Sequence, residues 1–293
     1  MAIIDAIVNF RRFLKRRNHS AHTVKNYLNR LKHFVVWLDV PLEKVTPVKV
    51  LAYIDHLLDT RLKPSTINYH LLSVRQFYDY LSHEEGVAVG NPVRRGQALR
   101  LPKPLPRYLK EEEMTTLFGA IKRPRDRALF LLMLRSGLRV EEVANLTLEA
   151  IDLTRGRLLV QHGKGGKDRV VYISPDSHQA LVYYLQLRPR AKAKQVFLVE
   201  KGPYTGKPLS VRGMQKRMEY YARKTRVTVS CHHLRHTMAT QMLNADADLA
   251  TIQDLLGHTW ITTTQRYCKV SNLKVQRDYY KAMEVVMHRT LPE

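Results

Sequence analysis

A proline-rich, basic segment divides the chain and constrains its fold more than any other feature of the sequence. Residues 90–108, GNPVRRGQALRLPKPLPRY, hold four prolines, two glycines, five Lys or Arg and no acidic residue. Proline lacks a backbone N–H, interrupts helices and stiffens an extended path. The segment therefore predicts a linker between a domain at 1–89 and a domain at 109–293, with basic side chains that can lie against phosphate groups.

The part of the chain before this linker is patterned as four helices with short connections. Apolar residues recur at helical spacing from residue 3 onward. A third helix is predicted to begin at Pro47 behind the N-cap Thr46, and a fourth to begin with Ser65 as its cap. The apolar face of the third helix is predicted to consist of Val48, Leu51, Ile54, Leu57 and Leu58. This pattern favours a compact helical bundle with basic outer faces.

The part after the linker mixes two periodicities. Two apolar segments at 157–162 and 169–174 flank the glycine-rich turn 163–167, which predicts a β-hairpin. Helices are predicted near 111–121, 126–135, 139–146, 176–187, 210–224, 233–244, 248–256, 261–267 and 272–288. The sequence thus predicts a mainly α fold with a small β-sheet, in which a helical domain precedes a mixed α/β domain.

The charge balance indicates a polyanionic partner. The chain holds 49 Lys or Arg against 26 Asp or Glu, for a net charge of +23. The excess is +10 in residues 1–108 and +13 in 109–293, so it is not confined to one tail. Nucleic acid is the common partner of such a surface. The two cysteines, Cys231 and Cys268, predict neither a disulfide framework nor a thiolate metal site. We expect a cytoplasmic protein without a signal peptide or a membrane span.

Polar residues suited to phosphodiester chemistry are concentrated in four segments of the second domain. The candidates are Arg139 in SGLRVEEV, Lys164 in HGKGGKDR, His232 and Arg235 in CHHLRHTMATQML, and His258 and Tyr267 in LLGHTWITTTQRYCKV. Guanidinium groups match phosphate oxygens, and histidine and lysine can transfer protons. A tyrosine hydroxyl can form a covalent phosphotyrosine that conserves bond energy without ATP. Each candidate alone is weak evidence, and their combination predicts DNA strand transfer.

The histidines of CHHLRHTMATQML do not predict a metal site. His232 and His236 have the spacing of a zinc-binding helix, but His233 occupies the position where a metalloprotease carries its glutamate. We expect no metal and no other cofactor.

Together, these motifs closely resemble the tyrosine recombinase (phage integrase) family, most nearly its compact members of the Xer type. SGLRVEEV matches the family's first arginine box, GKGGK its lysine box, HHLRH its H-x-L-R-H box, and LLGH the histidine box nine residues before the nucleophile. SAHTVKNYLNRLKHF matches a pattern of the family's core-binding domain. The resemblance covers essentially the whole chain.

The resemblance implies a role for each matched residue. Tyr267 would be the nucleophile, Lys164 the general acid, and Arg139 and Arg235 ligands of the phosphate, with Glu142 in support. His232 and His258 would complete the set, and His236 would be structural. The resemblance also implies that the two domains clamp a DNA duplex. The C-terminal helix either packs on its own chain or docks into a neighbouring copy, and family behaviour favours docking in a tetramer on paired sites. Predicted DNA-binding residues on the helical domain and the linker are Lys25, Arg30, Lys63, Arg75, Arg94, Arg95 and Arg100.

Two other functions stay open at this point. A topoisomerase of the type IB-like class uses similar residues to relax DNA without a specific site. A non-catalytic DNA-binding relative would keep the fold, although the full set of candidate residues speaks against it.

Overall fold

The computed structural model describes residues 3–102, 106–161, 168–257, 261–268, 276–283 and 286. The chain divides into two compact units, Met1–Lys103 and Pro104–Glu293. The main element types are those predicted, because the chain is mainly helical with one small sheet. The predicted fold class is confirmed.

The first unit is a helical bundle. Its helices are α1 (Ile3–Arg16), α2 (Ala21–Trp37), α3 (Pro47–Asp59) and α4 (Pro64–His83), with a short 3-10 turn at Leu42–Lys44. Side chains cap two of them: Ser20 accepts a hydrogen bond at the start of α2, and Thr46 does so at the start of α3, as predicted. Phe10 from α1 and Phe77 from α4 pack edge to face in the core.

Two details of the bundle differ from the predictions. Ser65 does not cap α4: the helix begins at Pro64, and Lys63 precedes it in an extended conformation, as proline imposes on its neighbour. The buried face of α3 is also rotated from the predicted one. Val50, Tyr53, Ile54 and Leu57 are buried, whereas Val48, Leu51 and Leu58 are exposed. Tyr53 sets this face, because its large ring packs on Phe34 and its hydroxyl is hydrogen-bonded to His70.

The segment predicted as a linker is attached to the first unit over part of its length. Asn68 of α4 forms two hydrogen bonds with the backbone of Leu99, one to its carbonyl at 2.9 Å and one from its N–H at 2.8 Å. Asn91 donates to Arg75 and Asp79 of α4, and Arg75 donates to the carbonyl of Val93. Residues 91–99 therefore follow a path fixed by side-chain amides of the bundle and by Arg75.

The second unit surrounds a three-stranded antiparallel sheet with helices. The strands β1 (Ile151–Asp152), β2 (Arg157–Val160) and β3 (Arg169–Tyr172) lie in sequence order. The helices are α5 (Glu111–Ala120), α6 (Pro124–Arg135), α7 (Val140–Asn145), α8 (Pro175–Leu187), α9 (Val211–Thr225), α10 (Cys231–Asn244), α11 (Leu249–Leu256) and α12 (Ile261–Cys268). Residues 276–283 form a further helix, and the remainder of the predicted 272–288 helix lies outside the described residues apart from 286.

Helix α6 forms the centre of this unit. Its apolar residues are buried on every side, so it packs against α8, α10 and α7 at once. A buried ion pair holds its first turn, where the fully buried Asp126 accepts hydrogen bonds from Arg125, Arg217 and Tyr221. Arg125 also donates to the carbonyl of Leu198. The position of α6 fixes the loop that follows it, which leads to Arg139.

No helix in the described part of the chain is both long and apolar enough to cross a membrane.

Replacement of Asn68 by alanine should loosen the segment around Leu99 from the bundle, because both hydrogen bonds to Leu99 are lost together. We expect amide hydrogen exchange across residues 94–102 to accelerate about tenfold, as expected for the loss of hydrogen bonds worth ~1–2 kcal/mol. Exchange can be followed by mass spectrometry. Asn29→Ala, at an exposed position of α2, is the control and should leave this segment unchanged. Equal exchange in the Asn68 variant and the parent chain would mean that other contacts hold the segment.

Candidate active site

The turn after α6 positions the first predicted arginine. Gly137 has a φ of +64°, and a Cβ placed on it would lie 3.0 Å from Leu256 and 3.1 Å from the sulfur of Met238, so both the backbone and the packing favour glycine. Arg139 directly precedes α7, with its side chain partly exposed. Its backbone N–H and its Nη1 each donate to Glu142, at 2.8 Å. Glu142 thus fixes both ends of Arg139.

Glu142 is held in turn by a residue that the sequence motifs do not single out. Arg169, the first residue of β3, donates to both carboxylate oxygens of Glu142, at 2.8 and 2.9 Å. Burial alone would raise the pKa of Glu142, but the hydrogen bonds from Arg169 and Arg139 and their positive charges lower it to about 2. Glu142 makes a supporting contact with Arg139, as the sequence predicted. The contact between Glu142 and Arg169 was not predicted.

The second predicted arginine, Arg235, lies in the first turns of α10 and is 1% exposed. Its Nη1 donates to the carbonyl of Gly137 at 2.5 Å, and its Nη2 donates to the carbonyl of Leu256. Burial, and then the positive charge of Arg139, lower the pKa of Arg235 to about 9. The guanidinium therefore stays charged at neutral pH, although no carboxylate hydrogen-bonds to it within the described part of the chain.

The C-terminal end of α11 brings the three arginines together. Its consecutive carbonyls accept hydrogen bonds from different arginines: Leu255 from Arg169 at 2.8 Å, Leu256 from Arg235, and Gly257 from Arg139 at 3.3 Å. These carbonyls have no partners within the helix and lie at the negative end of its dipole. Among the described residues, Glu142 is the only carboxylate hydrogen-bonded to this group. Positive charge is therefore left in excess here.

Gly257 allows this arrangement in two ways. Its φ is +60°, which ends the helix in the left-handed conformation. A Cβ at this position would lie 3.1 Å from both Cδ and Nη1 of Arg169, too close for any side chain without displacement of the guanidinium. The glycine of the LLGH motif therefore has a packing reason beyond the turn itself.

Tyr267 lies on α12, and its hydroxyl is hydrogen-bonded to Nδ1 of His236 at 2.7 Å. Its ring is 2% exposed and packs in an apolar cluster with Met238, Ile252 and Leu256. The phenol of Tyr267 and the buried guanidinium of Arg235 are close enough to interact electrostatically. The next turn of α10 towards its N-terminus carries His232, which is exposed and whose ring lies 4.2 Å from that of His236.

The structure thus brings together Arg139, Glu142, Arg235 and Tyr267 with His232 beside them. It adds two residues to the predicted set. Arg169 gave no signal in the sequence beyond its place after the lysine box, and His236 was assigned a structural role although it contacts Tyr267 directly. Lys164 and His258 lie outside the described residues.

The predicted DNA-binding residues of the first unit differ in the exposure and the intramolecular contacts of their side chains. Lys25, Lys63, Arg94, Arg95 and Arg100 are exposed. Arg30 is half-buried and its guanidinium lies over the ring of Tyr69, 4.8 Å from the centroid. Arg75 is also half-buried, and its Nη2 donates to the carbonyl of Val93. These two have intramolecular roles in addition to any DNA contact.

Two family descriptions match the chain. "Phage integrase family" matches residues 107–273, and "Phage integrase, N-terminal SAM-like domain" matches residues 7–85. The chain belongs to the phage integrase family. The family predicted from the sequence motifs is confirmed.

Tyrosine recombinases align with the chain along most of their length. Tyrosine recombinase XerC of Thermodesulfovibrio yellowstonii is 33% identical over 276 residues, which cover 90% of this chain and 91% of the relative. XerC of Halalkalibacterium halodurans is 36% identical over 283 residues, with coverage of 90% and 92%. These relatives confirm the enzyme class that the sequence predicted.

The fold is shared with solved integrase structures. The Tn1549 transposon integrase in complex with transposon right end DNA superposes with a TM-score of 0.76 at 18% identity, covering 89% of this chain and 94% of that chain. A λ integrase dimer bound to a COC′ core site gives a TM-score of 0.75 at 18% identity, with coverage of 90% and 97%. At these identities the match supports the fold.

Glu142→Gln should destabilise the second unit at neutral pH, because it removes the one carboxylate that Arg139 and Arg169 share. The low pKa of Glu142 means that the folded state favours its ionised form. Its stabilising contribution is therefore present above the ordinary pKa of 4.5 and is lost as the pH falls toward 2. We expect a loss of about 3 kcal/mol in the free energy of unfolding at pH 7, measured by urea denaturation.

The control for this measurement is Glu149→Gln, which breaks an exposed pair with Lys194 and should cost less than ~1 kcal/mol. The difference between the Glu142 variant and the parent chain should shrink between pH 5 and pH 3. A difference that stays constant over this range would show that the carboxylate charge does not carry the effect.

Proposed function

We propose that the chain is a site-specific DNA recombinase that cleaves and rejoins strands through a covalent bond between Tyr267 and a 3′-phosphate. The observation that carries this proposal is the gathering of Arg139, Arg235 and Arg169 around the end of α11, next to Tyr267. In the described part of the chain, a single carboxylate is hydrogen-bonded to this group. Membership of the phage integrase family and the tyrosine recombinase relatives support the same reaction.

The excess of positive charge suits a phosphodiester under attack. In the transition state the non-bridging oxygens gain negative charge, and fixed guanidinium donors stabilise them without reorganisation. Arg139 and Arg235 fill this role, because the described residues take only two of the five N–H donors of each guanidinium. Arg169 uses all three of its guanidinium nitrogens on Glu142 and Leu255, so it holds the arrangement in place.

The remaining roles follow from residue chemistry and motif position. Lys164 protonates the leaving 5′-oxygen, His258 binds a non-bridging oxygen, and exposed His232 assists in binding or proton transfer. Attack by Tyr267 on phosphorus breaks the bond to the 5′-oxygen and leaves a free 5′-hydroxyl. Attack of a 5′-hydroxyl on the phosphotyrosine then rejoins the strand, so the bond energy is conserved and neither metal nor ATP enters the step.

Double-stranded DNA is the substrate that the rest of the chain fits. Its net charge of +23 is spread over both units, and exposed lysines and arginines lie on the first one. Solved structures of the same fold contain transposon end DNA and an integrase core site. Lys25, Lys63, Arg94, Arg95 and Arg100 are our proposed phosphate contacts, with smaller contributions from Arg30 and Arg75.

We further propose that four copies act together on two paired sites. Within the helix at 276–283, Tyr279 and Tyr280 are 58% and 63% exposed, and Val286 beyond it is 45% exposed. Exposed aromatic and apolar side chains of this kind suit docking into a neighbouring copy. We expect the protein to work in the cytoplasm, where the bacterial or archaeal nucleoid holds its DNA.

The proposal is tested with a library of nicked DNA duplexes that carry a randomised central segment. Cleavage beside the nick releases a short strand and traps the protein on DNA, because the 5′-hydroxyl diffuses away. The parent chain should yield adducts that survive denaturation, and sequencing of the trapped DNA should return one shared motif. Tyr267→Phe should still shift the selected duplex in a gel, since only one hydroxyl is removed, and should give no adduct.

Two outcomes would contradict this assignment. Trapping of DNA by the Phe variant would place the nucleophile elsewhere. Adducts without a shared motif, together with relaxation of an arbitrary supercoiled plasmid, would favour the topoisomerase reaction over recombination.

A further inference from the structure

We propose that His236 is a catalytic residue that accepts the hydroxyl proton of Tyr267 as the tyrosine attacks DNA. This inference rests on the proposed function, in which Tyr267 is the nucleophile. Its basis is the 2.7 Å hydrogen bond between Nδ1 of His236 and the hydroxyl oxygen of Tyr267. A general base must lie within hydrogen-bonding reach of the proton that it removes, and His236 meets this condition.

The imidazole ring is held in place on two sides. His236 follows the buried Arg235 on α10, so the helix that fixes one phosphate ligand also fixes the ring. The imidazole rings of His236 and His232 pack edge to face, at a centroid distance of 4.2 Å and an interplanar angle of 71°. Such packing restricts rotation of the His236 ring, so Nδ1 stays directed at the phenol.

Tyr267 is equally restricted. Its ring is 2% exposed and lies against Met238, Leu256 and Ile252, and it meets the His236 ring at a centroid distance of 5.5 Å. The hydroxyl therefore has a fixed position relative to Nδ1 before DNA binds. Pre-positioning of this kind lowers the entropic cost of proton transfer and attack.

The electrostatic setting favours transfer of the proton away from the phenol. The buried guanidinium of Arg235 would attract negative charge that develops on the Tyr267 oxygen during the attack. A phenolate stabilised in this way requires an acceptor for its proton. Neutral imidazole is suited to that task because its ordinary pKa lies near neutrality.

The step is balanced in protons and electrons. The O–H bond of Tyr267 breaks, its proton moves to Nδ1 of His236, and the oxygen forms a bond to phosphorus. The bond from phosphorus to the 5′-oxygen breaks, and that oxygen takes a proton from a general acid. Rejoining runs in reverse, so the protonated His236 returns its proton to the departing Tyr267 oxygen. The same residue should therefore influence both cleavage and rejoining.

The experiment compares three variants on the duplex selected by the parent chain, with the rate of adduct formation measured in a single turnover. His236→Ala removes the base, and His236→Asn keeps a polar atom close to the position of Nδ1 without a comparable basicity. His233→Asn is the matched control, because it alters a neighbouring histidine of the same helix. We expect both His236 variants to be at least about 100-fold slower than the parent chain, and the control to be unchanged.

A second measurement separates proton transfer from positioning. Each protein is also made with 3-fluorotyrosine at position 267, a phenol that loses its proton more readily than tyrosine. The slow His236 variants should regain at least about tenfold in rate, whereas the parent chain should change little. Thermal melting of each protein confirms that the folded state is retained, and the Asn variant keeps the test available if the Ala variant does not fold.

Three results would overturn the inference. An Ala variant that cleaves at the parent rate or faster would show that the contact only restrains the tyrosine. An Asn variant with full activity would reduce His236 to a positioning residue. Absence of rescue by fluorotyrosine would exclude proton transfer as the impaired step. If the parent chain itself forms no adduct that depends on Tyr267, the proposed function fails, and that outcome differs from all three.

Discussion

The end of helix α11 is the feature on which the candidate active site depends. Three successive carbonyls at one helix terminus accept hydrogen bonds from guanidiniums that belong to three different parts of the chain. A helix terminus offers partial negative charge without a full countercharge. It can therefore hold arginines close together and still leave them attractive to an anion, which a ring of carboxylates would not do.

This arrangement makes the site a product of the whole second unit. Arg139 depends on the turn after α6, Arg169 on the sheet and Arg235 on α10, and each reaches α11 only when these elements are packed. Glu142 then joins the first two arginines. The motifs are far apart in the sequence and adjacent in space because different elements carry them to the end of α11. A change at any one element therefore affects the others through the shared carbonyls or the shared carboxylate.

Sequence motifs point to side chains with suitable chemistry, and they say little about the residues that hold those side chains in place. Arg139, Arg235 and Tyr267 lie in recognisable motifs, whereas Arg169 is one arginine among many and owes its position to contacts from two distant elements. His236 lies inside a motif, but only the packing of α12 on α10 brings the tyrosine to it. The prediction of the buried face of α3 was wrong for a similar reason. Tyr53 is a core residue because its hydroxyl is hydrogen-bonded to His70. Periodicity identifies helices, and tertiary partners decide which side is buried.

The buried charge of Arg235 affects which substitutions the chain can tolerate. A guanidinium buried to 1% exposure, without a carboxylate among its described hydrogen-bond partners, keeps its charge at a cost to the free energy of folding. Selection for stability alone would remove that charge, and an uncharged side chain of similar shape would fold at least as well. The stability of the fold and the activity of the site therefore favour different side chains at this position. A lineage released from the need to cut DNA should lose this arginine early and become more heat-resistant as it does so.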